Sequence, residues 1–323
     1  MCSVKSIIRG CGHYLPNRIV KNKFFENKLD TTDEWIFSRT GIKQRHFASE
    51  TELTSDLAIN AAQNALDDAE MCADKIDVLI VATSTPDQTF PSTATRVQHN
   101  IGMSKGYAFD IQAVCAGFIF ALDNANALIK SGQAKRVLVV GAETFSRILN
   151  WKDRSTCVLF GDGAGAVILE ADNNEKNSRG LLASKLYSNG KYNDLLYVNG
   201  GVSSSKESGH IVMHGKEVFK HAVSKLVEAS LETLKSAKIS KKEISWIVPH
   251  QANIRIINST AKKLEVDKKK IILTVGTHGN TSAASIPLAL STAKIEKKFK
   301  KNDIVLLEAI GGGLTWGAMV LRW

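Results

Sequence analysis

No apolar run in this 323-residue sequence comes near the roughly 20 residues a helix needs to span a bilayer, so no membrane segment is expected. Met1 to Arg9 also lacks the apolar stretch of a secretory signal, which makes a cytoplasmic protein the expectation. Cys2, Cys11, Cys72, Cys115 and Cys157 form no C-x-x-C pair, and their number is odd. Neither a disulfide framework nor a metal site is expected from them. No tract is biased enough to stay disordered, since 44% of residues are hydrophobic and 23% charged, as in an ordinary globular chain.

What is present starts with length. A chain of this size outgrows a single core, so two domains or two fused halves are expected. The formal charge of +10 would steer nucleic acid, anionic lipid or an acidic protein towards it. Runs such as Lys268-Lys269-Lys270 and Lys297-Lys298, beside predicted helix ends, are equally explained as solvated surface. Charge alone does not choose the partner.

Two stretches repeat one grammar about half a chain apart. In the first, Leu57, Ala58, Ala61, Ala62, Ala65, Leu66 and Ala69 form a helical stripe after the cap candidate Thr54, and a strand follows from Asp77 to Thr83. The second offers a helix from about Gly215 to Ala237, then a strand from Ile244 to Pro249. Each continues with a helix, Thr93 to Ile101 and Ile254 to Leu264, and a short strand, Gly106 to Ile111 and Ile271 to Val275. These strands lead to Cys115 and to Asn280, at equivalent turns before a new helix. Strands at Arg136–Gly141 and Asp303–Glu308 follow, then hairpin-like segments Val158–Ala171 and Leu314–Trp323. Alternating strands and helices predict an α/β fold with mainly parallel sheets buried on both faces. The polar stretch Asp172–Arg179 marks the expected boundary, giving halves 1–172 and 173–323.

Cys115 sits where an apolar strand breaks at small residues and restarts as a helix. Unpaired backbone N–H groups at a helix N-terminus stabilise a thiolate and lower a free-thiol pKa of about 8.5. Many cysteines are merely small buried hydrophobes. What distinguishes Cys115 is company: His250 just after a strand, and Asn280 at the partner turn, would converge where strands end and helices begin. A thiolate, an imidazole and a carboxamide suit acyl transfer, the cysteine holding the acyl group while the others donate or position hydrogen bonds. The order Cys, His, Asn also occurs in papain-like proteases, but their local cysteine signature is absent around Ala113-Val-Cys-Ala-Gly. Gly311-Gly-Gly-Leu-Thr-Trp-Gly would let backbone approach a ligand and aim an N–H at an oxyanion. Gly161-Asp-Gly-Ala-Gly has no following Walker lysine and is expected to be a strand-linking turn.

The strings Trp35-Ile with Arg39-Thr-Gly-Ile, Ala113-Val-Cys-Ala-Gly-Phe, Phe160-Gly-Asp-Gly-Ala-Gly-Ala, Pro249-His-Gln-Ala-Asn, Gly279-Asn-Thr-Ser-Ala-Ala-Ser and Gly311-Gly-Gly-Leu-Thr-Trp-Gly resemble the β-ketoacyl-acyl carrier protein synthase III family. The resemblance covers almost the whole chain. It implies a thiolase-like fold of two pseudo-symmetric α/β halves packed as alternating helix and sheet layers, usually a homodimer, with no cofactor. It implies that Cys115 takes an acetyl group from acetyl-CoA and holds it for malonyl-acyl carrier protein, whose decarboxylation creates the attacking carbanion. His250 and Asn280 would then bond the enolate oxygen, and the N–H groups of Cys115 and Gly312 the acyl oxyanion. Trp35 would stack on the CoA adenine, Arg39 and Arg154 would meet its phosphates, and Phe219 and Asn253 would line the pantetheine tunnel. Phe90 would reach the neighbouring subunit's acyl pocket.

By the same resemblance, Gln251, Ala252, Asn253, Ile254 and Arg255, with Lys262 and Lys263, would form the docking surface for the acidic carrier protein, giving the positive charge a purpose. No nucleic acid or membrane partner is expected. Thr277-His278 and Leu314 differ from many members, which blurs primer preference. Elongating synthases carry two histidines where this chain has His250 and Asn280, and degradative thiolases a second cysteine beyond Cys157. Two other readings stay open: a thiolase-fold condensing enzyme of secondary metabolism with another acyl-CoA primer, and a scaffold that only binds carrier protein.

Overall fold

The computed structural model describes residues 4–174 and 176–323; Cys2 lies outside them. The strands that position the site are Lys5–Tyr14 (β1), Val78–Ala82 (β2), Tyr107–Ile111 (β3), Arg136–Thr144 (β4), Asp162–Asp172 (β5), Gly180–Ser188 (β6), Ile244–Pro249 (β7), Ile304–Gly311 (β8) and Thr315–Arg322 (β9). The helices are Asp33–Thr40 (α1), Thr54–Asp68 (α2), Thr93–Asn100 (α3), Gly117–Lys130 (α4), Gly215–Ala237 (α5), Ile254–Leu264 (α6) and Ser285–Ile295 (α7). One sheet runs β1-β5-β4-β2-β3 and a second β7-β8-β9-β6.

Helix and sheet layers alternate as expected. Along β2, Val78, Ile80 and Ala82 join α4 and α7 in a core between the two sheets, while Leu79 and Val81 join α2 and α3 on the outer face. β8 divides in the same way, Val305 and Leu307 inward, Ile304 and Leu306 towards α5. This two-sided burial is why these strands read as unbroken apolar runs. Truncating a side chain such as Leu79, which has no exposed surface, to alanine would cost about 2–5 kcal/mol. Among the described residues, no helix is long and apolar enough to cross a membrane.

Four expectations are corrected. The sheets are mixed rather than mainly parallel: β2 pairs in parallel with β3 and β4, and β7 with β8, but β5 lies antiparallel to β1 and β4, and β9 to β8 and β6. No crossover helix separates β4 from β5 or β8 from β9, so the second strand of each pair returns antiparallel. Thr54 does not cap α2; Asp56 accepts the Leu53 N–H at 2.8 Å, and the Thr54 hydroxyl donates to Thr85 O at 2.6 Å. Residues 271–275 keep a single bridge, Ile271 to Ile247, because the Gln251 carboxamide oxygen accepts the N–H groups of Thr274 and Val275 and turns the chain away. Finally, Asp162–Gly165 opens β5, and of the string Gly161–Gly165 only Gly161 lies in the link from β4. At Gly165 α7 passes so close that a Cβ would lie 2.5 Å from Leu288 N, and only glycine fits.

The two turns expected to be equivalent share a backbone. Val114–Ala116 and Ser282–Ala284 are each one 3₁₀ turn, running directly into α4 and α7. Their first residues, Val114 and Ser282, have φ of +48° and +49°. Left-handed backbone at a β-branched residue is rare and collects at functional sites. The match is Val114 with Ser282 and Cys115 with Ala283, so Asn280 stands three residues ahead of the position that corresponds to the thiol.

Candidate active site

Cys115 is 4% exposed, second in its 3₁₀ turn. Burial pushes its thiol up to about 12, opposed by the neighbouring Ser282 hydroxyl. This corrects the expectation of a lowered pKa: desolvation is the largest influence on the thiol, and the helix that follows begins only at Gly117. The residue therefore rests as a thiol. β8 ends beside its backbone N–H at Gly311, where a Cβ would sit 2.6 Å from Cys115 N, so only glycine leaves room there. The Thr315 hydroxyl, donating to Ala113 O at 2.9 Å, ties the nucleophile turn to the start of β9. Gly312 follows in the same glycine turn.

His250 stands just past β7, its N–H donating to Glu308 O at 2.7 Å. Its Nδ1 lies 2.6 Å from Ser285 Oγ, which accepts the Gln251 N–H at 3.2 Å. With one lone pair so engaged, the Ser285 hydroxyl can give its proton to Nδ1. The ring proton then sits on Nε2, a donor free for the site. Burial lowers the His250 pKa to about 3, so the imidazole is neutral near pH 7.

Asn280 is fixed at three points. Its N–H donates to Leu159 O, its carbonyl accepts from Gly161 N, and its Oδ1 accepts from Ser282 N, each at 2.9 Å. The last bond orients the amide and leaves Nδ2 as a second free donor. Behind it, fully buried Arg45 donates to Val158 O and, at 2.8 Å, to Asn22 Oδ1, anchoring the segment that pairs with Asn280. The nucleophile and the two donors thus meet through shared neighbours: Ser282 faces the thiol and holds Asn280, Ser285 orients His250, and β8 reaches both His250 and Cys115. A cavity of about 880 Å³ opens at Cys115, walled by Phe145, Phe160, Leu196, Val198 and Ile211. Neither His250 nor Asn280 lines it.

A second group clusters outside. The Arg154 and Arg39 guanidinium carbons lie 5.1 and 5.6 Å from the Trp35 ring centre, within cation–π range. Arg154 also bonds Asp30. Asn253 donates from Nδ2 to Arg39 O at 3.0 Å and caps α6 by accepting the Arg255 N–H at 2.8 Å. Arg255 in turn lies 5.6 Å from the Phe219 ring centre. One continuous surface therefore carries Arg154, Trp35, Arg39, Asn253, Arg255 and Phe219.

Two sequence-derived placements need correction. Gln251 has no exposed surface and spends its carboxamide on Pro249 O, Ile272 O and the Thr274 and Val275 N–H groups, so it braces the His250 turn and cannot meet a partner. Ile254 packs on Gly41 and the core beneath α6, and Ala252 is half-buried, leaving Arg255, Lys262 and Lys263 as the exposed residues of that surface beside Asn253. Phe90, expected to reach a neighbouring subunit, is 81% exposed and lies outside the cavity of its own chain. Among the described residues no cluster suited to a metal occurs. Sequence reasoning missed Ser282, Ser285, Arg45 and Glu143. The serines lay within the quoted string Gly279–Ser285; Arg45 carried no signal, because nothing in its flanks marks burial.

The chain matches the family 3-oxoacyl-[acyl-carrier-protein] synthase III over residues 109–190, and the C-terminal region of the same family over residues 234–323. It is 61% identical over 323 residues to a β-ketoacyl-[acyl-carrier-protein] synthase III of Rhodobacter capsulatus, covering 99% of this chain and 100% of that one. The corresponding protein of Paracoccus denitrificans is 60% identical over 321 residues, with 99% of each chain covered. Among solved structures, a 3-oxoacyl-[acyl-carrier-protein] synthase III from Aquifex aeolicus superposes with a TM-score of 0.93 at 46% identity, over 98% of this chain and 100% of that one.

Proposed function

The chain belongs to the β-ketoacyl-acyl carrier protein synthase III family, and from that premise we propose how its residues divide the work. It is an acyltransferase that condenses a short acyl-CoA with malonyl-acyl carrier protein, giving 3-oxoacyl-acyl carrier protein, CoA and CO2 at the start of fatty acid synthesis. In the first half-reaction the Cys115 sulfur attacks the acyl carbonyl, and CoA leaves with a proton. The Cys115 and Gly312 N–H groups hold the oxyanion, a service worth most where charge appears in the transition state. In the second, malonyl loses CO2 while His250 Nε2–H and Asn280 Nδ2–H donate to the thioester oxygen as it becomes an enolate. The carbanion attacks the acyl-Cys115 carbonyl, and collapse expels the Cys115 thiolate.

The observation that carries this reading is the pair of free donors. The Ser282 N–H consumes the accepting oxygen of Asn280, and Ser285 stands where its hydroxyl can do the same for His250 Nδ1, so that both side chains can present N–H bonds, the requirement of an enolate site. Trp35, Arg39 and Arg154 would receive the adenine and phosphates of CoA, with Phe219 and Asn253 along the pantetheine path. Arg255, Lys262 and Lys263 would meet the carrier protein. The working unit would be a homodimer: β3 is an edge strand with Tyr107 47% exposed, and the bare Phe90 ring would enter the partner's cavity. Division of the chain at 172/173, a cytoplasmic location and independence of any cofactor complete the proposal.

Mixing the protein with a panel of acyl-CoAs and weighing it tests the assignment. A single acyl mass on Cys115, removed by malonyl-acyl carrier protein, is expected and identifies the primer. No mass added by any of them would overturn it.

A further inference from the structure

Glu143, the penultimate residue of β4, is fully buried, and neither half-reaction above uses it. One carboxyl oxygen accepts from Ser84 N at 3.0 Å and from the Thr85 and Thr83 hydroxyls at 2.7 and 3.3 Å. The other, Oε1, is buried without a hydrogen bond of ordinary geometry. Ser282 Oγ is likewise buried and unpaired, although it lies beside both the Cys115 thiol and the Glu143 carboxyl. The left-handed backbone of Ser282 places that hydroxyl between them. Both atoms are buried beside the nucleophile without an ordinary hydrogen bond, and the Ser282 hydroxyl still acts on both the thiol and the carboxyl.

We propose that Glu143 receives the Cys115 proton through the Ser282 hydroxyl when the sulfur attacks acyl-CoA. The Sγ–H proton passes to Ser282 Oγ, the Ser282 proton passes to Glu143 Oε1, and the freed sulfur electron pair forms the bond to the acyl carbon as the carbonyl pair moves onto oxygen. When the oxyanion collapses and the C–S bond to CoA breaks, the proton held by Glu143 returns to the departing CoA sulfur and Glu143 is ionised again. Protons and charge balance, and the buried charge stays at one. Ionised Glu143 opposes a thiolate, but once protonated it opposes nothing, so the negative charge moves from carboxylate to sulfur without a second being created. His250 is the weaker candidate, because burial lowers it to about 3 whereas Glu143 is raised to about 7 against a thiol near 12. The groups that act on Glu143 are the donors of Thr85, Ser84, Ser282 and Ala283, with no cation among them; the titratable group that feels its charge is Cys115. The inference rests on the acylation step proposed above, and Glu143 acts in it as a positioning and proton-holding residue.

The test is the rate of iodoacetamide alkylation of Cys115 from pH 5 to 9, which needs no acyl substrate, beside acetylation by acetyl-CoA. Wild type should gain reactivity through the Glu143 ionisation near pH 7. Glu143→Gln should lose at least tenfold at pH 7.5 and move its rise to higher pH, Glu143→Asp should recover part, and Ser282→Ala should copy the loss. Malonyl decarboxylation by Cys115→Ala should be unchanged on adding Glu143→Gln. A wild-type pH profile in Glu143→Gln, or equal loss of alkylation and decarboxylation, overturns the relay. If Glu143→Gln does not fold, Ser282→Ala decides by the same two measurements. Failure of acetylation with the alkylation pattern intact would instead remove the function proposed and leave the relay standing.

Discussion

Ser285 Oγ stands 2.6 Å from His250 Nδ1 while accepting the Gln251 N–H, and a proton given across that contact places the ring's own proton on Nε2. Ser285→Ala leaves a buried Nδ1 without a partner, a loss of about 1–3 kcal/mol. Malonyl decarboxylation should therefore fall roughly 10- to 100-fold, with little change in acetylation of Cys115. Measuring the half-reactions separately checks this; an equal fall in both would argue against the tautomer lock.

Because burial holds His250 near 3, it should not titrate in the working range. Cys115→Ala removes acyl-enzyme formation but keeps both donors, so some decarboxylation should persist. Its rate should show no histidine limb between pH 5 and 8. A fall centred near 6.5 would mean that the ring ionises during turnover.

Arg255 is exposed beside the Asn253 cap of α6, above Phe219. Arg255→Glu reverses a charge on the expected carrier-protein face, so condensation with malonyl-acyl carrier protein should lose more than acetylation by acetyl-CoA. Raising salt should shrink the wild-type advantage, since exposed charges farther apart than about 8–10 Å are screened. Equal losses in the two half-reactions would remove the docking role.

Glu308 is fully buried, with Ser230 Oγ donating to it at 2.9 Å, and desolvation lifts its pKa from 4.5 to about 7. A carboxyl raised on folding favours the protonated folded chain. Its contribution is greatest below pH 4.5 and is lost as pH climbs through 7, a change of roughly 3 kcal/mol. Glu308→Gln should gain about 2–3 kcal/mol relative to wild type between pH 5 and pH 8 in denaturant unfolding. A pH-independent difference would show that Glu308 is not titrating.

Much of this architecture was legible because periodicity reports burial. α5, α6 and β7 fall on the residues that their apolar spacing indicates, since each has one consistently buried face or two. Pairing direction was not legible: an apolar run such as Asp303–Glu308 reads the same whether its neighbour is parallel or not. The segment 271–275 misled because a side chain from elsewhere, Gln251, claims its N–H groups. At the site, Cys115, His250 and Asn280 stood out by residue type and position, whereas the thiol's resting state depended on desolvation, which local spacing does not record. Ser282, Ser285 and Arg45 act through contacts distant in sequence, and only the folded chain reveals them.

The twin 3₁₀ turns are alike in backbone and unlike in cargo. With Val114 and Ser282 at matching left-handed angles, neither turn has a shape of its own that marks it as the home of a nucleophile. Polarity across the seam comes from two small choices: sulfur at 115 where its counterpart 283 has a methyl group, and a carboxamide three places upstream at 280. Chemistry at the seam is thus a matter of lettering on a shared mould, and exchanging residues between the copies would remove the nucleophile from its place before it altered the fold.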